Sequence, residues 1–340
     1  MDRRDIKDFT IEELKKELVK VQESSYRAGQ IFDWIYKKMA TDFEKMNNLP
    51  KSLRDKLARL YSLTSLKLKK HLKSSDRTEK FLFELSDRKF IESVLIYSGN
   101  RKTLCLSTQV GCKYACAFCA SGIKGFIRNL TISEILEQIL FAHQTGAGEI
   151  TNFVFMGMGE PFDNYKNVSK AILIMNSAEG LGIGARRITV STCGIVPGIE
   201  KFKDLGIQAN LSISLHAAND RLRNSLVPVN KKYPLAELIR ACRDFIEEKG
   251  RMITLEYVLI KGKNDSIKDA DELLNIARSL NAKVNLILYS PVPGKNFQAP
   301  SKKQVDIFAA RLIRRKVGVT VRGSKGKDIQ AACGQLVGQI

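Results

Sequence analysis

Residues 107–122 read STQVGCKYACAFCASG and carry three cysteines, Cys112, Cys116 and Cys119, at the spacing C-x3-C-x2-C. The stretch overlaps the end of an apolar run that is typical of a strand, so the three thiols are expected on one tight loop. Iron–sulfur clusters are usually held by four cysteine thiolates, and three thiolates on one loop can bind one face of a cubane. A local set of three predicts that the fourth iron stays open for a small molecule, as in open catalytic metal sites.

A zinc site completed by a distant Cys or His is the alternative interpretation of the same cysteines. Zinc ligands also come as close cysteine pairs, but this spacing with Phe118 between the last two cysteines is not the usual zinc pattern. The chain has seven cysteines, an odd number, and its charged start lacks the apolar core of a secretion signal. These features favour metal or thiol chemistry over a disulfide framework.

The apolar runs around this loop predict strands that alternate with helices. Helical periodicity covers residues 131–145, 163–178, 233–249 and 266–280, each between two short apolar runs. Such alternation is typical of βαβ units and a parallel sheet. The six predicted strands are TLCLSTQ (103–109), NFVFMG (152–157), RITVST (187–192), ANLSISLH (209–216), TLEYVLI (254–260) and KVNLILYS (283–290).

The first 75 residues predict a different, basic and helical module. Apolar positions recur at helical spacing in residues 11–21, 26–39 and 49–63. Residues 79–96 alternate apolar and polar side chains around a short Ser-Asp-Arg turn, which predicts a β-hairpin linker. The expected organisation is a helical accessory domain at 1–75, the linker at 76–97, a core at 98–328 and a C-terminal segment at 329–340.

The charge of the chain indicates a polyanionic partner. Lysine and arginine number 56 against 36 acidic residues, for a formal net charge of +20, and nucleic acid is the leading class of partner. Residues 302–327 form a second basic stretch and a candidate anion-binding surface. No apolar run approaches the ~18 residues that a membrane span needs, so the expected location is the cytoplasm with no membrane association.

Polar residues gather where the predicted parallel strands end, which is where such folds place their functional groups. The motif FMGMGEP at 155–161 ends one strand with Gly159 and Glu160, although on its own it is only a tight turn. The other strand ends carry Ser191, Ser214 to His216, and Ser290.

The cysteine motif with its aromatic residue resembles the signature of the radical S-adenosylmethionine (SAM) superfamily. The resemblance implies an α/β fold with a partial (β/α)6 TIM-like barrel, and a [4Fe-4S] cluster, one per chain, held by Cys112, Cys116 and Cys119. In that superfamily the open iron chelates SAM, and one electron cleaves SAM to a 5′-deoxyadenosyl radical. Gly159 and Glu160 match the strand end that contacts the amino group of SAM.

Five further strings closely resemble the RlmN/Cfr family of rRNA methyltransferases over nearly the whole chain. They are IESVLIYSGNRKTLCLSTQVGC (91–112), FMGMGEPFDNY (155–165), GARRITVSTCGIVPG (184–198), SISLHA (212–217) and DIQAACGQL (328–336). The resemblance implies that Cys333 accepts a methyl group, that Glu92 accepts a proton, and that Cys105 forms a transient disulfide with Cys333. The implied SAM-binding positions are Ser191, Ser214, Leu215, His216 and Ser290. The family usually has Asn at the position of Ser290. Cys193 and Cys242 are interpreted as structural.

The activity implied by the family is methylation of carbon 2 of an adenosine in the peptidyl-transferase centre of 23S rRNA. An adenosine in the anticodon loop of some tRNAs is a second implied substrate. Two SAM molecules would be consumed per methylation, with electrons from a donor such as flavodoxin or ferredoxin, and the protein is expected to be a monomer.

Two alternatives stay open on the sequence alone. Within the family, a Cfr-like enzyme would methylate carbon 8 of the same rRNA adenosine, although GEP, GIGARRITVST and SLHA resemble the RlmN branch more closely. From a different class, the chain could be a metal-stabilised RNA-binding protein without catalysis.

Overall fold

The computed structural model describes residues 3–146 and 148–338. Most of the strands join one mixed sheet, which forms the centre of the fold. The strands are β1 Arg4–Asp5, β2 Tyr61–Ser62, β3 Leu66–Lys73, β4 Glu79–Leu85, β5 Phe90–Ser98, β6 Arg101–Cys105, β7 Gln109–Gly111, β8 Phe126–Asn129, β9 Asn152–Phe155, β10 Ile188–Thr192, β11 Asn210–Ser214, β12 Thr254–Leu259, β13 Lys283–Leu288 and β14 Val319–Arg322.

Helices connect these strands, and several begin where the sequence offers a hydroxyl cap. Thr10, Thr131 and Ser266 each accept from the backbone three residues on, while a carboxylate there reaches back to the cap. The helices are α1 Ile11–Lys20, α2 Arg27–Phe32, α3 Lys51–Leu60, α4 Ile132–Gln144, α5 Tyr165–Asn176, α6 Val196–Lys203, α7 Asp220–Leu226, α8 Leu235–Lys249, α9 Ile267–Ser279 and α10 Lys302–Ile313.

The ten-stranded sheet has the order β14-β13-β12-β11-β10-β9-β6-β5-β4-β3. The pairs from β6 to β14 are parallel, and those from β3 to β6 are antiparallel. The parallel part therefore presents all its carboxyl ends at one edge, which positions the loops that follow them side by side.

The six sequence-predicted strands and four predicted helices of the core are all present, with ends shifted by a few residues. The predicted fold class is confirmed, and β14 adds a parallel strand that the sequence reading missed. This strand, VTVR, is short and largely exposed, so it lacks the apolar run that revealed the others.

The prediction that the first 75 residues are helical is wrong for β3. Its sequence LKLKKHLK places lysines on an exposed face, a usual composition for the edge strand of a sheet. The predicted hairpin at 79–96 exists as β4 and β5, but it continues the large sheet through β3 and β6 instead of standing apart as a linker. The domain boundaries themselves stay predictions.

The N-terminal helices pack onto the core through buried charges as well as apolar contacts. The ammonium of Lys7 lies 2.9 Å from the carboxylate of Asp5 and 3.1 Å from that of Glu137 on α4, and all three are largely buried. Glu137 also accepts hydrogen bonds from the backbone of Ser65 and Leu66. The basic module thus contacts the first helix of the barrel, α4.

Among the described residues, no helix is both long and apolar enough to cross a membrane.

Candidate active site

A cavity lies at the carboxyl edge of the parallel strands, under the cysteine loop. Most of the sequence-predicted site residues line it together: Cys112, Cys116, Cys119, Gly159, Glu160, Ser191, Ser214, His216 and Cys333. Residues from the start, middle and end of the core thus share one space. Strand ends of the large sheet supply the polar residues, whereas the loop after β7 of a separate two-stranded sheet and the C-terminal segment supply these cysteines.

The cysteine loop is held in a tight path by its neighbours. Gly111, directly before Cys112, has φ of +75°, and a Cβ there would lie 1.9 Å from the carbonyl oxygen of Gly125. Cys112 N donates to that same oxygen at 3.0 Å, and Cys119 N donates to Cys116 O at 3.1 Å. The glycine therefore lets β7 and the loop close on each other so that the three thiols face the cavity.

Burial raises the pKa of each of the three loop thiols. The pKa of Cys112 rises to about 12, and that of Cys116 rises well above its usual value through burial and the neighbouring Cys119 and Cys112. Thiols this close cannot all ionise without a compensating cation, so the set is suited to binding a positively charged centre.

The donor set fits an iron–sulfur cluster better than a single ion. In the described part of the chain, no three His, Cys, Asp or Glu side chains are grouped closely enough to hold one metal ion. The thiolates of a cubane each bind a different iron, so they need not converge on a single point. Three thiols that line one cavity beside free space meet that requirement.

The Gly159–Glu160 turn is fixed by the strand beside it. Gly159 has φ of +95°, and a Cβ there would lie 2.5 Å from the Cβ of Gln109. Gln109 accepts from Glu160 N at 2.9 Å, and the buried carboxylate of Glu160 accepts from Phe162 N and Cys193 N at 3.0 and 2.8 Å. Burial raises the pKa of Glu160 above its ordinary value, and these backbone donors offset only part of the rise.

The strand-end hydroxyls and the histidine form one connected group. The hydroxyls of Ser191 and Ser214 lie 3.1 Å apart, and Nδ1 of His216 accepts from Val258 N at 3.0 Å. Burial and the nearby Arg223 lower the pKa of His216 to about 3, so the imidazole is neutral with its proton on Nε2. Phe118 of the cysteine loop packs edge-on against this ring, with centroids 4.7 Å apart.

Two predicted SAM-binding residues lie behind the cavity wall. Leu215 is buried and its carbonyl oxygen accepts from Arg223 Nε, while Ser290 is buried and donates to Ser324 Oγ at 2.8 Å. Neither side chain lines the cavity, so any contact of theirs with a ligand needs the backbone of Leu215 or a shift near Ser290.

Of the two extra cysteines, Cys333 lines this cavity, whereas Cys105 and Glu92 are not among its lining residues. Cys333 is accessible from the cavity, and Cys105 is buried; both are free thiols. Burial and the nearby Cys333 raise the pKa of Cys105. The carboxylate of Glu92 accepts from Val337 N and Gly338 N at 2.7 and 3.0 Å, and it pairs with Lys80 Nζ at 3.0 Å.

Sequence reasoning missed three residues that shape the site. Glu256 lines the cavity from the middle of β12, and its signal was a single charge at an inward position of an otherwise apolar strand. Cys193, read from sequence as structural, lines the cavity and holds Glu160 through its backbone. The buried Arg223 donates to Cys193 O and Leu215 O, and no local sequence pattern predicts these hydrogen bonds.

A partial parallel barrel with three loop cysteines at its carboxyl edge defines the radical SAM class of enzymes. Residues 106–274 match the Radical SAM superfamily, and residues 4–63 match the ribosomal RNA large subunit methyltransferase N-terminal domain. The crystal structure of a radical SAM methyltransferase from Sphaerobacter thermophilus is 45% identical, with a TM-score of 0.95 over 99% of this chain and 100% of that chain.

Relatives narrow the class to one family. A probable dual-specificity RNA methyltransferase RlmN from Caldicellulosiruptor saccharolyticus is 48% identical over 98% of this chain and 97% of its own length. One of the same name from Thermoanaerobacter sp. strain X514 is 46% identical over 97% of each chain. The chain belongs to the RlmN family of radical SAM methyltransferases, whose superfamily uses a [4Fe-4S] cluster and SAM, and the predicted cofactors are confirmed at that level.

Proposed function

We propose that this protein methylates carbon 2 of an adenosine in the peptidyl-transferase centre of 23S rRNA, and an adenosine in the anticodon loop of some tRNAs. The name of the relatives, dual-specificity RNA methyltransferase, supports two kinds of RNA substrate. The observation that carries the proposal is the presence of Cys333 in the same cavity as the three loop cysteines.

Cys112, Cys116 and Cys119 would hold the cluster, one per chain, and Gly159, Glu160, Ser191, Ser214 and His216 would hold SAM. The cluster, when bound, supplies one electron that cleaves SAM to a 5′-deoxyadenosyl radical. The buried carboxylate of Glu160 suits a cationic amino group, and the paired hydroxyls of Ser191 and Ser214 suit the polar groups of SAM.

Transfer of the methyl group through a cysteine explains how an unreactive ring carbon can be methylated. Carbon 2 of adenine lies between two ring nitrogens and is electron-poor, so it cannot attack a sulfonium methyl as an amine would. Cys333 therefore takes the methyl group from a first SAM, which leaves as S-adenosylhomocysteine while the thiol proton goes to solvent. Covalent attachment to the protein divides one inaccessible step into several accessible ones.

The S-methyl group of Cys333 then loses a hydrogen atom, in a step that consumes the second SAM, and its carbon bonds to carbon 2 of adenine. Loss of the carbon 2 proton, and of one electron that passes to the oxidised flavodoxin- or ferredoxin-type carrier, restores the aromatic ring. Cys105 next attacks the sulfur of Cys333, and the carbon–sulfur electron pair passes to the former methyl carbon, which takes up a proton. The product is released, and an external dithiol re-reduces the Cys105–Cys333 disulfide by thiol–disulfide exchange before the next turnover.

Glu92 is the proposed acceptor of the carbon 2 proton, and its surroundings set a condition for that role. One carboxylate oxygen accepts two backbone N–H groups of the C-terminal segment, and the other faces the ammonium of Lys80. The residues after Cys333 must therefore shift before this carboxylate can reach a substrate. The segment that carries the methyl group would in this way control access to the base.

The target base must be unstacked, because carbon 2 is inaccessible inside folded RNA. The basic N-terminal helices would supply phosphate contacts, and a donor such as flavodoxin or ferredoxin would supply electrons. We expect the protein to act as a monomer in the cytoplasm, where both classes of RNA are found.

Mass mapping of the modified nucleotide tests this function. Anaerobically reconstituted protein with SAM and a reductant should convert one adenosine of a 23S rRNA fragment to 2-methyladenosine. Formation of 8-methyladenosine would instead establish the Cfr-like reaction. Protein that contains zinc, has no brown chromophore and forms no methylated product would support the non-catalytic RNA-binding alternative.

A further inference from the structure

The barrel has a second opening, at the amino ends of the parallel strands. A cavity of about 450 Å³ lies there. We call it the amino-end mouth and define it by its four cationic residues. Arg101, Arg251 and Lys283 lie at or just before the amino ends of β6, β12 and β13, whereas Arg322 ends β14. It lies at the opposite end of the strands from the cysteine loop and belongs to none of the proposed cofactor contacts.

Strand alternation points side chains of the mouth and of the active-site cavity into the same barrel interior. Side chains two apart on a strand share a face, so Ser212 at the mouth is followed by Ser214 at the active site, and Thr254 is followed by Glu256 and Val258. Glu256 and Met156 line both cavities. The two cavities are therefore neighbours inside the barrel, with these two side chains between them.

Cys333 lines the active-site cavity together with Glu256, and Glu256 lines the amino-end mouth as well. Burial raises the pKa of Cys333, the nearby Glu256 raises it further, and Arg322 lowers it. The loop cysteines and the Gly159–Glu160 turn occupy the carboxyl side of the same space. A group that enters from the amino-end mouth would thus approach Cys333 from the side opposite to SAM.

The cations of the amino-end mouth outnumber its acidic residues, since Glu256, which lies near Arg322, is the one acidic side chain among the described residues that line it. None of its four cations lies within 4 Å of a described carboxylate as an ion pair, and burial and the neighbouring Arg322 lower the pKa of Arg101. Arg251 donates to Asn210 Oδ1 at 2.6 Å, but its buried Nε has no partner among the described residues, and neither does Asn285 Oδ1. These cations and unpaired buried polar atoms favour an anionic ligand that also forms hydrogen bonds.

We propose that the amino-end mouth is the RNA-binding surface for the nucleotides that flank the target, and that the flipped adenine passes through it to Cys333. This inference rests on the proposed function and specifies where the RNA is bound. Cations on both sides of the opening match the phosphates on either side of a flipped nucleotide, and the polar interior admits one base. A single-stranded RNA loop is the occupant because a duplex cannot insert a stacked base.

The first test removes charge from the rim and leaves the interior intact. The double variant Arg251→Gln/Lys283→Gln should bind a fluorescein-labelled stem-loop RNA, with an adenosine in its loop, roughly tenfold more weakly at 0.15 M salt. The slope of log affinity against log salt should become shallower by roughly 1 to 2. RNA-independent formation of 5′-deoxyadenosine and methylation of Cys333 should keep wild-type rates, which shows that the variant is folded.

Arg240→Gln/Arg243→Gln is the matched control, because it removes the same charge from the exposed surface of α8. It should bind RNA like the wild type. Equal losses in the two double variants would mean that only net charge matters and would overturn the assignment of the surface. Wild-type protein that cleaves SAM but methylates no RNA would instead refute the proposed function.

The second test closes the passage and keeps the charge. Thr254 begins β12 at the mouth and touches no proposed cofactor group. Thr254→Trp should leave RNA affinity within a few-fold of wild type but reduce RNA methylation by about a hundredfold, since the base can no longer reach Cys333. Thr254→Ser is its conservative counterpart and should methylate RNA normally. Full methylation by the tryptophan variant would show that the base enters elsewhere.

Discussion

Lys80 lies between two groups that the proposed chemistry needs. Its ammonium is 3.0 Å from Glu92 and 3.2 Å from the carbonyl oxygen of Gln330, three residues before Cys333. Both side chains of the ion pair are largely buried. We therefore expect Lys80 to position the proposed proton acceptor, Glu92, relative to the segment that carries Cys333.

Lys80→Met should lower the rate of RNA methylation while RNA affinity and cluster content stay unchanged. Breaking a buried pair also costs stability, by roughly 3 kcal/mol, so unfolding should be measured in parallel by denaturant titration. Lys69→Met is the control, since Lys69 lies on the exposed edge strand β3 and pairs with Glu84 of β4. Recovery of the rate in Lys80→Arg would indicate a role for the charge at this position, and an unaltered rate in Lys80→Met would refute positioning.

Cys333→Ala should abolish methyl transfer to RNA, because the variant lacks the thiol that the proposed mechanism uses to carry the methyl group. The cluster absorbance and reductive cleavage of SAM should survive, since Cys333 lies on a different segment from the three loop cysteines. Cys242→Ala, a buried thiol on α8, is the control. Normal yield of methylated RNA from the Cys333 variant would refute the carrier mechanism.

At the scale of elements, the C-terminal segment is bound by loops from three parts of the chain. Ala120 N donates to Gly334 O and Ser121 Oγ donates to Leu336 O, both from the cysteine loop. Ser74 Oγ donates to Asp328, next to the hairpin, and Gln335 Nε2 donates to Pro291 O. These contacts bring Cys333 to the cavity although it is over 200 residues from the cluster motif.

The contact of the N-terminal module with α4 has a pH dependence of predictable sign. Burial raises the pKa of Glu137 to about 7, partly offset by the ammonium of Lys7. The folded state then binds more protons than the unfolded state between about pH 4.5 and 7, so this group weakens stability as pH rises through that window.

Glu137→Gln removes that dependence. The free energy of unfolding of the variant, relative to wild type, should increase by on the order of 2 kcal/mol from pH 5 to pH 8. Denaturant titrations of both proteins at several pH values measure this difference. The lowered pKa of His216 makes stability rise with pH, but this contribution is the same in both proteins and cancels in the difference. A difference independent of pH would mean that Glu137 is ionised across the whole range.

At the scale of the whole molecule, the net charge of +20 should govern RNA binding and not SAM chemistry. RNA affinity should fall linearly on a log–log plot against salt, with a slope of roughly −0.7 for each phosphate contacted. SAM cleavage without RNA should change little over the same range, because its proposed contacts are buried. Salt-independent RNA binding would refute the electrostatic mode.

The sequence by itself determined six strands and four helices of the core, the cysteine loop and the Gly159–Glu160 turn. Each of these rests on local spacing: strand and helix periodicity, three thiols within eight residues, and a glycine that alone tolerates its turn. Residues such as Glu92, Cys105 and Cys333 could be nominated only through family resemblance, since a lone carboxylate or thiol has no diagnostic local pattern.

Only the tertiary structure decided which of these groups meet. It joined Cys333 to the cluster loop, placed Glu92 against the C-terminal backbone, and left Ser290 behind the cavity wall. It also revealed β3 as an edge strand and the amino-end mouth as a second opening. The physical reason is that strand pairing and side-chain packing set distances between residues far apart in sequence, whereas periodicity reports only the neighbours along the chain.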